Sequence, residues 1–435
     1  MFLKKVTHLK KINSFDLGQN SFLIGTFFLA SALPISMIFY LLSIIIFFKN
    51  KTISFTRDIY NQLLLISTGI MLFSTINSVN NFKAYSSDLN LDIWINLFNW
   101  IPFFLFFITT QSYLKTTLQR ELFSKFLIAG TIPVIVSCAL QGWFGVVGPF
   151  KIFNGLIVWY FDKLDYTDIA IAGLFSNRNY TAIWLSAVFA FSVSEFFNFS
   201  KNFYKKIFII LINFLILYFS FYTFSRNAVI TILLTLIIVL RKIKLIFPFI
   251  LIYTFANIIY LSIHSRYEIF FSEVIGFNLD RFFILNIENF ANFNRIEIFS
   301  NTLNLIKQSP LLGWGGSTFP LMYKLSGGEQ PTQHSHNIIL ELAYNFGIPL
   351  AMLLTFLVCK LIYDSYQKIF SQPLDFSKAF INISWFASTI VVCISHLSDI
   401  TYYDGKISIL IWILLSGIKC IIDDKNFNYR TEKNL

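Results

Sequence analysis

Long runs of apolar residues recur along the whole chain, and they restrict its fold more than any other feature. Each run approaches the length of about twenty residues that crosses a bilayer as an α-helix. Of the 435 residues, 56% are hydrophobic and only 13% are charged, whereas soluble domains contain about 25% charged residues. The short alternating segments of a membrane β-barrel, about ten residues each, are absent. The sequence therefore predicts an all-α, polytopic transmembrane helix bundle.

The expected spans leave one long connection between them. The first apolar run, residues 21–48, fits one tilted helix or two short passes broken around Pro34, and the basic N-terminus favours two. We therefore expect about twelve segments, with eleven as the alternative. They divide the chain into an N-terminal bundle (1–263), an extracytoplasmic loop (264–336), and C-terminal helices with a cytoplasmic tail (337–435). The predicted spans are 22–48, 59–77, 94–113, 124–142, 178–197, 206–223, 227–240, 244–263, 337–359, 379–397 and 406–422.

The net charge of +11 predicts topology. Basic residues such as Lys115, Arg120 and Lys125 are interpreted as belonging to short connections on alternate sides of the spans, which marks the cytoplasmic face. The loop around Lys201–Lys206 and the C-terminal tail join that face, and residues 264–336 lie opposite. Because topology accounts for the charge, we expect the lipid bilayer and no nucleic acid as a partner.

The long outer loop contains a predicted amphipathic helix. Asn294 followed three residues later by Glu297 is typical of a capped helix start. The sequence SPLLGWGG, Ser309–Gly316, ends the helix in a Pro/Gly turn. This pattern predicts a helix lying on the membrane surface. Its apolar residues at helical spacing are Ile296, Phe299, Leu303 and Ile306.

Three arginines on the outer side are candidates for binding an anion. They are Arg178 in GLFSNRNY, Arg226 in YTFSRNA and Arg295 in NFNRIEIF, although outer loops are expected to be poor in basic residues. A guanidinium binds phosphate oxygens through two parallel hydrogen bonds. Their placement predicts a diphosphate held at the lipid surface. The alternative is that each side chain extends to the lipid headgroups.

Two histidines stand at the start of TQHSHNIILELAYNFGIPLAMLL, residues 332–354. Polar groups at bilayer depth cost free energy unless they are paired or face water, which favours a functional interpretation. An imidazole titrates near pH 6.5 and can remove a proton from a hydroxyl. His336 is the candidate base, and His334 is closer to the alternative of a histidine that anchors a helix at the interface.

A carboxylate lies on the helix that follows. Asn337, Glu341 and Tyr344 share one face of a helix that begins near Asn337. Glu341 is predicted to orient His336 or to pair with an arginine. A purely structural buried ion pair is the alternative.

Several of these segments resemble the O-antigen ligase and polymerase superfamily of bacterial membrane glycosyltransferases. The resemblance is strongest over residues 170–350 and rests on the order and spacing of the motifs. The family has a His-Asn pair, nine residues and then Gly, matched here by His336, Asn337 and Gly347. The similar segments are RIEIFSNTLNLIKQSPLLGWGGSTF, HSHNIILELAYNFGIP, AGLFSNRNYTA and FSRNA.

The resemblance implies a transferase that moves a glycan from an undecaprenyl-diphosphate carrier to an acceptor hydroxyl. Ligases use a lipid A-core sugar as acceptor, and polymerases use another carrier-linked glycan. Arg226 and Arg295 match the residues that hold the diphosphate, and His336 matches the general base. The implied reaction inverts the anomeric centre without a metal or other cofactor, on the periplasmic face of the inner membrane. The residues expected to support this site are Arg178, Asn177, His334 and Asn337.

A transporter or flippase of anionic lipid-linked glycans is the rival function. Such a carrier places cationic ligands midway along its spans and often contains internal repeats. Here the arginines cluster at one face beside a long outer loop, which favours a transferase. The sequence leaves open whether the protein is a ligase or a polymerase, which sugars it transfers and which acceptor it uses.

Overall fold

A computed structural model describes residues 14–50, 58–82, 87–162, 170–197, 203–240, 294–328, 332–371 and 376–424. Within these residues the regular structure is helical except for one antiparallel hairpin, β1 (Phe150–Ile152) and β2 (Ile157–Trp159). The predicted all-α architecture is confirmed. The helices are α1 (Ser14–Phe28), α2 (Leu33–Asn50), α3 (Ile59–Phe82), α4 (Ser87–Ile95), α5 (Ile101–Thr110), α6 (Thr117–Phe144), α7 (Arg178–Phe197), α8 (Phe203–Tyr222), α9 (Arg226–Leu240), α10 (Asn294–Gln308), α11 (Phe319–Leu325), α12 (Ile338–Phe346), α13 (Ile348–Phe370), α14 (Phe376–Ser395) and α15 (Gly405–Asp423).

Eight helical segments in the described part of the chain are long and apolar enough to cross a membrane. They are α2, α3, the run Ser87–Tyr113 that includes α4 and α5, α6, α7, α8, α13 and α15. Shorter apolar helices are Arg226–Leu240 and Phe380–Ser395. The predicted span 244–263 and residues 264–293 of the predicted outer loop lie outside the described residues. The multi-pass architecture is therefore confirmed, and the total of about twelve segments stays a prediction.

The first apolar run forms two helices, as predicted. The chain leaves α1 after Phe28 and enters α2 at Leu33, with Pro34 in the first turn, where a proline is compatible with the helix. The two helices pack closely. The Ser36 hydroxyl donates to the carbonyl of Gly25 at 2.7 Å, and a Cβ at Gly25 would lie 2.9 Å from the ring of Tyr40.

The core of the bundle lies around α7 and α15, which are the most completely buried of the long apolar helices described. Helix α7 packs against α6, α8, α9 and α14, and α15 packs against α5, α13 and α14. The indole of Trp184 donates to Thr131 on α6 at 3.0 Å. A Cβ at Gly417 would lie 2.1 Å from the ring of Trp385, so a glycine is required where α14 meets α15.

The single span predicted for residues 337–359 is wrong. The chain forms the nine-residue helix α12 and then the long helix α13, with Gly347 between them. Gly347 has φ +91°, and a Cβ there would lie 2.1 Å from the carbonyl oxygen of Leu311. The SPLLGWGG turn therefore packs against this point, where only glycine fits. His336 consequently precedes a short helix that leads into the span.

Arg120, interpreted from sequence as a loop charge, lies instead in the first turns of α6 and is fully buried. Its guanidinium lies 2.8 Å from Asp424 and donates to Asn382 at 3.0 Å. This ion pair joins the beginning of α6 to the end of α15. The two helix ends therefore lie at the same end of the bundle, as the topology prediction requires.

Candidate active site

The last residue of α14 and the four residues that follow it, Ser395–Asp399, receive hydrogen bonds from four distant parts of the chain. We refer to them as the SHLSD segment. Each donor belongs to a motif that the sequence singled out, so the beginnings of α7, α9, α10 and α12 meet at one end of the bundle. The donors are Asn227 to the Ser395 carbonyl (3.4 Å), Asn337 to the Leu397 carbonyl (2.9 Å), Arg295 to the Ser398 carbonyl (2.6 Å), and Asn179 to the Asp399 carboxylate (2.7 Å).

His336 and Asp399 form the central pair of the site. The imidazole Nδ1 lies 3.1 Å from the Asp399 Oδ1, and both side chains are partly exposed. The other oxygen of Asp399 accepts from Asn179 at 2.7 Å. A neutral imidazole that donates Nδ1–H to a carboxylate has its lone pair at Nε2. In this arrangement His336 can accept a proton at Nε2, and Asp399 stabilises the imidazolium that forms.

Arg295 adds positive charge to the same site. Burial raises the pKa of Asp399, but the hydrogen bond from His336 and the charge of Arg295 outweigh burial, and the pKa falls below its ordinary value. The carboxylate is therefore ionised at neutral pH. A guanidinium has five N–H groups, and the bond to Ser398 uses one of them.

The turn around His336 is held on both sides. His336 has φ +55°, a left-handed conformation in which histidine is enriched relative to most side chains but which still costs roughly 1–3 kcal/mol. The Ser335 hydroxyl donates to the Asn337 carbonyl at 3.0 Å. Asn337 is the N-cap of α12, and its side-chain oxygen accepts from the backbone of Ile339 and Leu340. The strain is therefore balanced by a capped helix that begins immediately after the candidate base.

His334 supports the backbone of this turn. Its ring contacts the ring of His336 edge-on, with 4.5 Å between the centroids. Burial of the imidazole lowers the pKa of His334, and the nearby His336 lowers it to a smaller extent. The neutral ring can therefore accept a hydrogen bond, and its Nδ1 lies 3.4 Å from the backbone nitrogen of His336. Among the described residues, no group of three His, Cys, Asp or Glu side chains is arranged to hold a metal ion.

Glu341 is buried beneath the turn and acts on its backbone. One carboxylate oxygen accepts from the Ser335 N–H at 3.0 Å. The other accepts from the Tyr403 hydroxyl at 2.9 Å and from the Asn345 amide at 3.2 Å. These three partners include neither an arginine nor the His336 ring. The predicted orientation of His336 by Glu341 therefore has an indirect route, through Ser335, and the role of Glu341 stays a prediction.

The two motifs that carry the family resemblance pack directly against each other. The backbone N–H of Trp314 donates to the Tyr344 carbonyl at 2.7 Å, and that of Gly315 donates to the Asn345 carbonyl at 2.9 Å. The nine residues between Asn337 and Gly347 are those of α12, Ile338–Phe346. The spacing of the motif therefore equals the length of this helix, capped at one end and broken by glycine at the other.

Arg178 and Arg226 are the first residues of α7 and α9. Arg178 is half-buried and Arg226 is exposed. The residue after each arginine, Asn179 or Asn227, donates to the SHLSD segment, so both helix starts lie at the site. Asn177 is exposed, and its side-chain oxygen accepts from the Asn179 N–H at 2.8 Å.

A comparison with known families agrees with these motifs. Residues 211–355 match the family model described as O-Antigen ligase. This match supports the O-antigen ligase superfamily for the matched segment. The matched residues include Arg226, Arg295, His336 and Glu341, and the predicted resemblance is confirmed. No curated protein matches the chain.

The amphipathic helix predicted in the outer loop is present as α10, and the face that packs against protein lies beside much of the predicted apolar stripe. Ile296 and Leu303 are 62% and 47% exposed. Thr302 and Leu305 are buried instead, and the Trp314 indole donates to the Leu305 carbonyl at 2.8 Å. Packing against the SPLLGWGG turn therefore selects a neighbouring stripe of the helix. The buried residues of α10 include Ile298, Thr302, Leu305 and Ile306.

Asp399 and Asn179 lie outside the residues matched to the O-antigen ligase model, and the sequence interpretation missed both. The signal for Asp399 was SHLSDITYYDGK, a polar stretch immediately before the last apolar run, and Asn179 lies in the GLFSNRNY motif. Lys406, also missed, donates to the Leu174 carbonyl at 3.2 Å and lies 4.5 Å from the centre of the Phe175 ring. It therefore connects the beginning of α15 to the loop that leads to Asn179.

Proposed function

We propose that this protein is a glycosyltransferase that moves a glycan from an undecaprenyl-diphosphate carrier to an acceptor hydroxyl. The observation that carries the proposal is the 3.1 Å contact between His336 and Asp399, beside an arginine held on Ser398. A base paired with a carboxylate, next to cationic groups, suits transfer from an anionic leaving group. The match of residues 211–355 to the O-antigen ligase family supports this chemistry.

In the proposed reaction His336 acts as the general base. Its Nε2 takes the proton of the acceptor hydroxyl as the hydroxyl oxygen attacks the anomeric carbon of the donor sugar. The bond between that carbon and the phosphate oxygen breaks, and the diphosphate leaves with the bonding electron pair. Because attack and departure occur on opposite faces in one displacement, the anomeric configuration is inverted. A positioned base contributes about 10²–10⁴-fold to such a rate.

The arginines are proposed to bind the diphosphate and to stabilise its departure. Negative charge grows on the leaving oxygen in the transition state, where fixed cationic groups are most effective. Arg226 and Arg295 are assigned this role, with Arg178 as a third cationic group. Arg295 also lowers the pKa of Asp399, so it contributes to the charge balance of both the leaving group and the base.

Glu341, Asn337, His334 and Asn177 are proposed as positioning residues. Glu341 holds Ser335, Asn337 fixes the start of α12, and His334 contacts the His336 backbone. Asn177 holds the backbone of Asn179, the second partner of Asp399. These four residues act on the geometry of the reacting groups.

The proposed site lies on the periplasmic side of the bacterial inner membrane, where carrier-linked glycans meet their acceptors. Either a lipid A-core sugar or a second carrier-linked glycan fits an acceptor hydroxyl at this place. We assign no metal and no other cofactor a part in the reaction.

The decisive experiment measures transfer and donor binding with purified protein in liposomes and an undecaprenyl-diphosphate-linked glycan. The wild-type protein is expected to form a new glycosidic bond when an acceptor is present, and His336→Ala is expected to bind donor but transfer poorly. Movement of the donor across the liposome membrane without a new glycosidic bond contradicts the proposal and favours a flippase.

A further inference from the structure

An exposed aromatic surface surrounds the β-hairpin. It begins at the end of α6 and continues over the hairpin tip, and we refer to it as the hairpin surface. Phe144, Phe153 and Leu156 are 74%, 72% and 65% exposed. Lys151 is the one charged residue of the sequence between Trp143 and Tyr160. The hairpin surface consists of Trp143, Phe144, Phe150, Phe153, Leu156 and Tyr160.

The hairpin surface continues an apolar stripe of a predicted membrane span. Ile132, Val136 and Leu140 of α6 are exposed and follow one another at four-residue spacing, and Phe144 is next on the same face. Helix α6 is long and apolar enough to cross the membrane, so this stripe contacts lipid in a bilayer. The hairpin surface therefore starts where the lipid-facing side of α6 ends.

The hairpin tip holds Phe153 outward in a costly conformation. Phe153 has φ +50°, a left-handed value that is an outlier for a bulky side chain. The rest of the hairpin is attached to the protein: the Trp159 indole donates to the Ser31 carbonyl at 2.7 Å, and Ile157 is buried. Phe153 is therefore exposed although the hairpin that carries it is fixed to the rest of the protein.

We propose that the hairpin surface inserts into the lipid headgroup region of the leaflet on this side of the membrane. Aromatic residues are enriched at that depth, where the ring meets both hydrocarbon and water. A lysine beside them can place its ammonium among the headgroup phosphates. The composition of the hairpin surface and its continuity with α6 both fit lipid as the partner.

Insertion of the hairpin surface among the lipid headgroups fixes the depth of the candidate active site relative to the membrane. Gln141, one turn before the end of α6, donates to the Asp162 carbonyl at 2.8 Å just after the hairpin. Its side-chain oxygen accepts from the backbone of Ala172 and Gly173, at 3.0 and 2.8 Å. The same loop continues to Asn179, the partner of Asp399. One glutamine side chain thus connects the end of the hairpin to the loop that leads to Asn179, and we infer that the site stands at headgroup level.

The test measures the depth of position 153 with a nitroxide label on the full-length protein in phospholipid liposomes. Phe153→Cys is compared with Val136→Cys, in the lipid-facing stripe of α6, and with Lys324→Cys, on the exposed end of α11. Each substitution is made with Cys359→Ser, because Cys359 is exposed in the native chain. Collision of each label with oxygen, which concentrates in lipid, is compared with collision with a water-soluble nickel chelate.

The label at position 153 is expected to favour oxygen more than the label at 324 and less than the label at 136. A ratio at 153 equal to that at 324 overturns the proposal, because the tip is then in water. Low collision with both reagents, together with dipolar broadening between labels, indicates a second copy of the chain and also overturns it. Leu156→Cys repeats the measurement at the same tip if Phe153→Cys does not fold.

Discussion

The backbone N–H of Ser335 donates to the Glu341 carboxylate at 3.0 Å, one residue before the proposed base. That carboxylate also accepts from Tyr403 and Asn345, so donors surround it. In Glu341→Gln one of these donors must face an amide N–H, and the turn at His336 is loosened. We expect transfer to fall about 10- to 100-fold, because small displacements of a reacting group have effects of this size. The measurement is transfer at saturating donor.

Glu297→Gln is the matched control, because Glu297 of α10 accepts from the Tyr323 hydroxyl of α11 and has no proposed part in catalysis. It should leave transfer unchanged. Normal transfer by Glu341→Gln contradicts the positioning role and favours a purely structural carboxylate.

Asp399→Asn tests the partner of the base. An amide can place its N–H toward Nδ1 and stabilise the tautomer in which Nε2 is protonated, which removes the lone pair that accepts the proton. We expect transfer to fall by about 10²–10⁴-fold, with donor binding retained because the arginines remain. Asp404→Asn is a control, because the Asp404 side chain caps α15 by accepting from the backbone N–H groups of Lys406 and Ile407. Equal loss of transfer in both variants contradicts a specific role for Asp399.

His334 predicts a dependence of stability on pH. Its pKa is lower in the folded protein than in the unfolded chain. As pH falls below the unfolded value of about 6.5, the unfolded chain takes up a proton that the folded protein resists, and stability decreases. His334→Asn keeps an acceptor oxygen near the position of Nδ1 and does not titrate. The midpoint of thermal unfolding should therefore fall less between pH 7 and pH 5 in the variant.

The control for this series is His396→Asn, which removes a second histidine whose pKa burial also lowers. The effects of the two substitutions on the pH dependence should add, because each removes one titrating group. Identical pH dependence in His334→Asn and wild type contradicts the neutral state assigned to His334.

Arginine substitutions separate donor binding from proton transfer. Lysine supplies the charge of Arg226 or Arg295 but not two parallel hydrogen bonds. Arg→Lys at either position should weaken donor binding and retain part of the activity, and Arg→Ala should remove more. His336→Ala should retain donor binding and lose transfer. Donor binding and single-turnover transfer are measured separately for each variant.

Lys324→Ala removes an exposed cationic side chain near the end of α11 and serves as the control for general charge effects. It should leave donor binding unchanged. Normal binding in both Arg→Ala variants contradicts the diphosphate site.

Cysteine labelling in intact cells tests the topology. Ser326→Cys, exposed at the end of α11, should react with an impermeant thiol reagent added from the periplasm. Leu118→Cys, 65% exposed at the beginning of α6, should react only after the membrane is opened. The reverse result places the candidate site in the cytoplasm and contradicts the proposed reaction.

Local features of the site were predictable from sequence, because they depend on neighbouring residues. The helix at 294–308 and a helix that begins near Asn337 follow from spacing and residue type. The partner of His336 did not follow, since Asp399 is 63 positions away along the chain and its other partner, Asn179, is 220 positions away. Only tertiary packing brings them together.

The same limit applies to α10. Periodicity predicted an apolar stripe containing Ile296 and Leu303, yet a helix with apolar residues on several faces can present more than one stripe. The indole of Trp314, bonded to Leu305, selects the face that is buried. Likewise, the broken helix at Gly347 depends on the Leu311 carbonyl, which approaches from another segment.

The SHLSD segment has a consequence for how freely its sequence can vary. Asn227, Asn337 and Arg295 all bond to main-chain oxygens, of Ser395, Leu397 and Ser398. Every amino acid supplies such an oxygen. The side chains at the three acceptor positions can therefore change during divergence while the helices still meet at the same place. Asp399 is different, because its side chain is the partner of His336. Among relatives of this chain, we expect one invariant acidic residue in a loop whose other positions vary. A search for runs of conserved residues easily overlooks such an isolated position.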